Sequence, residues 1–305
     1  MPNKNRDYKL SECLELFREW KGIAVSPRSL YIYMSHLKAF VNWMGDKKVS
    51  QIDDELILKY IISMQGRYSE ATIAYRAIAL RLFFRFLNKR GMVSFAWDLI
   101  QVPQYRSTHY YTPTHLEIQE TIKNIQGNTF QALRDRTLIH FLYASGVRVS
   151  EAADFAIENY IPGKLHAVIQ SKKKRSRTYK KRRIIMWDKQ TDALMNEYAK
   201  LRQISTHTNA FFIATDRRCF GGKLTTRTMQ RIIARYRVNP NMSCHSLRHR
   251  YGTDLARCHV HVSTAADLMG HNDVMSTANI YMDMDDPDIL KAGKKVYEIR
   301  NKLTV

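Results

Sequence analysis

The chain has 305 residues, with 49 Lys plus Arg against 28 Asp plus Glu and a formal net charge of +21. That length suits two compact domains, and a 45% hydrophobic composition can supply a core for each. A positive charge this large points to a polyanionic partner, DNA, RNA or an anionic membrane surface. Lys and Arg interrupt every apolar run, which excludes a membrane-spanning helix. The opening residues MPNKNRDYKL contain no apolar signal core, so the chain is expected to be soluble and intracellular. Cys13, Cys219, Cys244 and Cys258 form no CxxC pair and are expected to be reduced, mostly packed thiols.

Residues 8–97 read as four amphipathic helices. The first starts at Leu10 and carries Cys13, Leu14, Leu16, Phe17 and Trp20 at helical spacing. Ser26-Pro27 supplies a cap and a first-turn proline for the second, which ends at Gly45. Asp53-Asp54 opens the third, and Ser69-Glu70 opens the fourth, which runs to Gly91. Four such helices in about 90 residues make a small all-α domain. Residues 103–111 have little periodicity and read as a linker, which gives domains at 1–102 and 112–305.

The second domain reads as mixed. Helical patterns cover residues 129–144, 188–202, 225–237, 244–257 and 286–303. Short apolar strands cover 165–170 and 182–187. Between the strands, nine of the twelve residues 172–183 are Lys or Arg, which suggests a β-hairpin with a basic tip.

Three motifs carry residues suited to phosphate chemistry. In Tyr143-Ala144-Ser145-Gly146-Val147-Arg148-Val149-Ser150-Glu151 an apolar helix ends at Gly146. Ser150 and Glu151 cap the next helix, and Arg148 stands at the junction. Its planar fork can hold two phosphate oxygens at once; a surface Arg paired with Glu151 is the plainer reading. In Cys244-His245-Ser246-Leu247-Arg248-His249 the spacings of three and four put His245, Arg248 and His249 on one helical face. A metal site built from these residues with Cys258, His259 and His261 is the rival reading. It is disfavoured because Ser246 stands where an HExxH motif has its Glu, and because Arg248 and Arg250 would repel a dication. In Met269-Gly270-His271 a glycine turn presents a histidine, and Tyr281 follows ten residues later. Taken alone, Tyr281 is one of 17 tyrosines and reads as a packed aromatic.

In this order the motifs resemble the tyrosine recombinase (phage integrase) family, most closely its Xer-type members. The resemblance implies a mostly α fold with a small β-sheet. An N-terminal four-helix core-binding domain would precede an α+β catalytic domain, with an interaction helix at the C-terminus. It implies Arg148, His245, Arg248 and His271 around a DNA phosphate, Tyr281 as the nucleophile, and Glu151 and His249 in support. The family's catalytic Lys lies on a hairpin, which makes Lys172 the best match, ahead of Lys173 and Lys174. Lys173, Lys174, Arg175, Arg177, Lys180 and Lys181 would contact DNA phosphates. The spacing from His271 to Tyr281 is one residue longer than the family's commoner nine.

The implied reaction is metal- and ATP-independent, needs no cofactor, and passes through a 3′-phosphotyrosyl link. The implied partners are double-stranded DNA and further copies of the chain, as a tetramer on two sites that exchanges strands through a Holliday junction. The implied place is the cytoplasm, at the nucleoid. A type IB topoisomerase, a non-catalytic DNA-binding protein and a metal-dependent nuclease, which would use the acidic cluster after Tyr281, are the alternatives. No additional N-terminal DNA-binding module is seen, which favours a simple Xer-like task.

Overall fold

A computed structural model describes residues 7–94, 97–104, 111–170, 182–202, 208–271, 274–275 and 277–278. The chain forms two compact units, Met1–Thr108 and His109–Val305.

The first unit is built from helices α1 (Leu10–Gly22), α2 (Pro27–Met44), α3 (Asp54–Ser63) and α4 (Glu70–Lys89). Their starts follow from local chemistry. Ser26, Asp53 and Ser69 each accept a hydrogen bond from the backbone N–H three residues on, at Ser29, Leu56 and Thr72. Each bond satisfies one of the donors that a helix N-terminus leaves open. The core is aromatic. Phe17, Phe40, Phe83 and Phe84 are fully buried, and the Phe17 and Phe83 rings meet edge to face at 5.6 Å. Burying a side chain of this size contributes about 1.5–3 kcal/mol.

The second unit is organised around α6 (Phe130–Ser145), which is apolar or buried on nearly every side and therefore lies in the middle of its layer. Thr129 caps it through Ala132 N–H. Helices α5 (His115–Lys123), α8 (Lys189–Arg202), α9 (Thr226–Tyr236) and α10 (Cys244–Arg257) accompany it, with the short α7 (Val149–Asp154) and α11 (Val262–Met269). Phe141, Phe155, Trp187, Tyr198, Phe211 and Phe212 form the centre of the core. A two-stranded antiparallel hairpin, β1 (His166–Gln170) and β2 (Arg182–Met186), pairs His166 with Met186 and Gln170 with Arg182.

Three local details differ from the sequence reading. Arg148 is itself the N-cap of α7, and Glu151 sits inside its first turn, returning a hydrogen bond to the Arg148 N–H. Helix α11 was not anticipated. It is eight residues long and is capped by the His261 side chain, which is not among the usual N-cap residues. Of the four cysteines, Cys13 and Cys244 are buried, and burial pushes both thiols up to about 12. Cys219 and Cys258 are exposed.

Gly146 ends α6 in the left-handed conformation, at φ +57°, and a Cβ placed there would stand 2.2 Å from Tyr251 Cδ1. Only glycine satisfies both the torsion and the close approach. Gly146→Ala is expected to destabilise the unit by about 2–4 kcal/mol and to lower its Tm by roughly 5–10 °C. Thermal unfolding followed by circular dichroism checks this.

Candidate active site

Arg148, His245, Arg248 and His271 line one pocket of about 610 Å³, together with Ser150, Gln230, Arg237 and Ser243. They come from three separate parts of the chain: the N-cap of α7, the first turns of α10, and the turn after α11. Tyr281, Lys172, Lys173, Lys174, Arg175, Arg177, Lys180 and Lys181 lie outside the described residues.

Arg148 is half-buried, and both ends of its fork are engaged. Nη1 donates to Glu151 Oε1 at 3.1 Å, and Nη2 donates to the Gly270 carbonyl at 2.8 Å. The pairing with Glu151 proposed for an ordinary surface Arg is therefore present, but with a buried carboxylate. Arg248 is buried to 3% exposure. Its Nη1 donates to the Gly146 carbonyl at 2.7 Å, and its Nη2 donates to the Met269 carbonyl. Burial, and then the neighbouring charges of Arg148 and Arg183, push its pKa down to about 9, so it remains a cation at neutral pH.

His245 occupies the second position of α10, whose N-cap Ser243 accepts from Ser246 N–H at 3.2 Å. Loss of water, followed by the charges of Arg248 and Arg148, holds its pKa below the ordinary 6.5. Its position near the positive end of the helix acts in the same direction. One turn on, His249 Nε2 lies 3.0 Å from His245 Nε2. His271 Nδ1 is 2.7 Å from the hydroxyl of Thr277, which is fully buried. Thr277 and Ala278 both donate backbone N–H bonds to the Val274 carbonyl, so a helical turn follows His271.

Arg183 was read in the sequence as one more member of the basic run. It is instead buried, at 5% exposure. Its Nη2 donates to Glu151 Oε2 at 2.7 Å, and its Nη1 donates to the Leu268 carbonyl. Strand alternation held the signal: exposed and buried positions alternate from Arg182 to Met186, which puts Arg183 on the inner face with Ile185. Glu151 thus joins two guanidiniums. Burial opposes its ionisation, but the Arg183 charge, the Arg148 N–H and the Arg148 charge outweigh burial and hold its carboxyl below the usual range.

Chemically, the pocket is a cluster of cations with a neutral histidine beside them, a combination that binds a phosphodiester and moves a proton. Among the described residues, no group of three His, Cys, Asp or Glu is placed to hold a metal ion. Nor, among them, is any helix long and apolar enough to cross a membrane.

The phage integrase family matches residues 114–287, and the phage integrase N-terminal SAM-like domain matches residues 20–91. The tyrosine recombinase XerD of Staphylococcus epidermidis is 26% identical over 301 residues, which cover 92% of this chain and 96% of that protein. The fold matches that of the Tn1549 transposon integrase solved with transposon right end DNA. The TM-score is 0.74 at 14% identity, over 95% of this chain and 99% of the other. It also matches a lambda integrase tetramer bound to a Holliday junction, with a TM-score of 0.73 at 13% identity, over 92% and 80% of the two chains. These matches do not favour a topoisomerase or a protein that only binds DNA. The chain belongs to the phage integrase family and is a tyrosine recombinase, an enzyme of site-specific recombination that cleaves and rejoins DNA.

Proposed function

We propose that Arg148, Arg248, His245 and His271 hold one scissile DNA phosphate and that Tyr281 attacks it. The observation that carries this reading is the meeting of the four residues in one pocket, from sequence positions as far apart as 148 and 271. A phosphodiester resists nucleophiles because its own oxygens are negative. Two guanidiniums and an imidazole donor offset the charge that builds as phosphorus becomes five-coordinate. The N-terminus of α10 adds backbone N–H groups of the same sign.

In the forward step Tyr281 Oη forms a bond to phosphorus, and the bond from phosphorus to the 5′-oxygen breaks. Tyrosine ordinarily ionises near 10, so its proton needs an acceptor. His245 fills that role, because its depressed pKa leaves it neutral. Lys172 on the hairpin gives a proton to the departing 5′-oxygen, while Lys173, Lys174, Arg175, Arg177, Lys180 and Lys181 hold neighbouring phosphates. Glu151 and His249 orient Arg148 and His245. The product is a 3′-phosphotyrosyl link and a free 5′-hydroxyl. The link retains the bond energy, so the reverse step rejoins a strand without ATP.

The two units take separate tasks in this scheme. Residues 1–102 grip the duplex, residues 103–111 link, and residues 112–305 carry the chemistry, with a C-terminal helix that contacts another subunit. Four copies on two sites exchange strands through a Holliday junction, a state in which lambda integrase has been solved. The work takes place in the cytoplasm, at the nucleoid.

The test is covalent trapping. A pool of nicked duplexes with randomised cores is mixed with the full chain, and adducts that survive denaturation are recovered and sequenced. The wild type is expected to yield adducts on one sequence class, in EDTA as well as in magnesium. Tyr281→Phe should yield none, and Arg148→Ala at least about a hundredfold fewer. Adducts that persist in Tyr281→Phe would falsify the nucleophile.

The pH dependence follows from His245. Only the neutral imidazole can accept the tyrosine proton, and its pKa lies below 6.5. Single-turnover cleavage should therefore hold steady as pH falls through 6.5 and decline only below it. An acid limb centred at or above 6.5 removes His245 as the base.

A further inference from the structure

We propose that Arg183 is a positioning residue of the recombination reaction, tying strand β2 to both Arg148 and the turn that carries His271. The inference rests on the reading of Arg148 and His271 as phosphate-holding groups and extends it to a residue outside the pocket wall.

Arg183 lies on the buried face of β2 and reaches two other elements at once. Through Glu151 it meets the first turn of α7, and the same carboxylate holds Arg148 by a side-chain and a backbone bond. Through the Leu268 carbonyl it meets the end of α11. Its shaft runs against Gly270: a Cβ on that residue would stand 2.6 Å from Arg183 Cδ and 2.7 Å from Nε. The Gly270 carbonyl is in turn the acceptor for Arg148 Nη2. One guanidinium therefore fixes the carboxylate that aims Arg148 and the turn that both accepts from Arg148 and presents His271. Arg183 is also the second residue of β2, and seven of the eleven residues 171–181 that precede that strand in sequence, with Arg182, make up the rest of the basic run.

A lysine cannot reproduce this arrangement, because a single ammonium lacks the fork that spans Glu151 and Leu268. An uncharged residue does something different. It leaves Glu151 buried beside one partner instead of two. The groups facing that carboxylate or its partners include Arg148 from its own helix, Arg183 from β2, and His245, Arg248 and Tyr251 from α10. With Arg183 gone, burial raises the Glu151 pKa. Once protonated, Glu151 no longer holds Arg148 as an anion, so activity should fall as pH falls.

The experiment uses the full chain and the nicked duplexes recovered by wild-type trapping. DNA affinity is read by gel shift, and the single-turnover adduct rate at saturating protein is read between about pH 6 and 8. Arg183→Gln should bind DNA within about twofold of wild type. Its adduct rate should be about a hundredfold lower near pH 6 and should recover as pH rises. Arg183→Gln combined with Glu151→Gln should stay slow and lose the recovery. Arg183→Lys keeps a charge beside Glu151, so it should show the wild-type pH profile at a reduced rate. It also serves as the test if the Gln variant melts early. A wild-type rate in either single variant, or a loss in Arg183→Gln that runs parallel to wild type at every pH, overturns the assignment. Arg148→Ala is assayed alongside. If it cleaves normally, the phosphate-holding reading fails; if it is dead while the Arg183 variants are normal, this inference alone fails.

Discussion

The site depends on one buried carboxylate. Glu151 is 4% exposed and contacts Arg148 and Arg183, with Arg248 close enough to push against both. Three guanidiniums packed together repel, and each gives up water to be there. Glu151 offsets one charge. The remainder is an excess of positive potential in a partly dry pocket, where electrostatic effects are larger than in bulk water. In the proposed reading a DNA phosphate completes the charge balance. In the proposed reaction the same excess favours a transition state with more negative charge than the bound DNA.

The remaining valences of the guanidiniums are filled by helix ends. Helix α6 closes at Gly146 and α11 at Gly270, both left-handed glycine caps. The last turn of any helix leaves carbonyls without intrahelical donors and concentrates partial negative charge. Here those carbonyls are the acceptors: Gly146 and Met269 for Arg248, Leu268 for Arg183 and Gly270 for Arg148. A cation at a helix C-terminus is stabilised without a counter-ion that would compete with DNA. This explains why three arginines can be held with a single carboxylate among them.

Much of this was legible in the sequence because it is local. The starts of α2, α3 and α4 follow from Ser26, Asp53 and Ser69, and the hairpin follows from two apolar runs flanking a charged one. The motifs around Arg148, His245 and His271 could be read because each is a short run of side chains with a fixed spacing. Helix α11 escaped notice because it is short and its cap is a histidine. Arg183 was hidden for a different reason. It stands among nine basic residues, and composition assigns all of them to solvent. Only the two-residue period of a strand separates it from Arg182. Its partners, Glu151 and Leu268, lie 32 and 85 positions away, and no local pattern records a contact at that range.

That difference has a consequence for how the pocket is assembled. The Arg148 contact with Gly270 spans 122 positions, and the Arg248 contact with Gly146 spans 102. The residues proposed to hold phosphate are therefore held by strongly non-local contacts of the second unit, whereas each motif's own helix rests on near neighbours in sequence. Gly146 and Gly270 make those closures possible, since a side chain at either would strike Tyr251 or Arg183. The close approach of two helix ends to three arginines is thus set by two residues with no side chain. The catalytic geometry is as much a property of backbone carbonyls as of the charged groups that line the pocket.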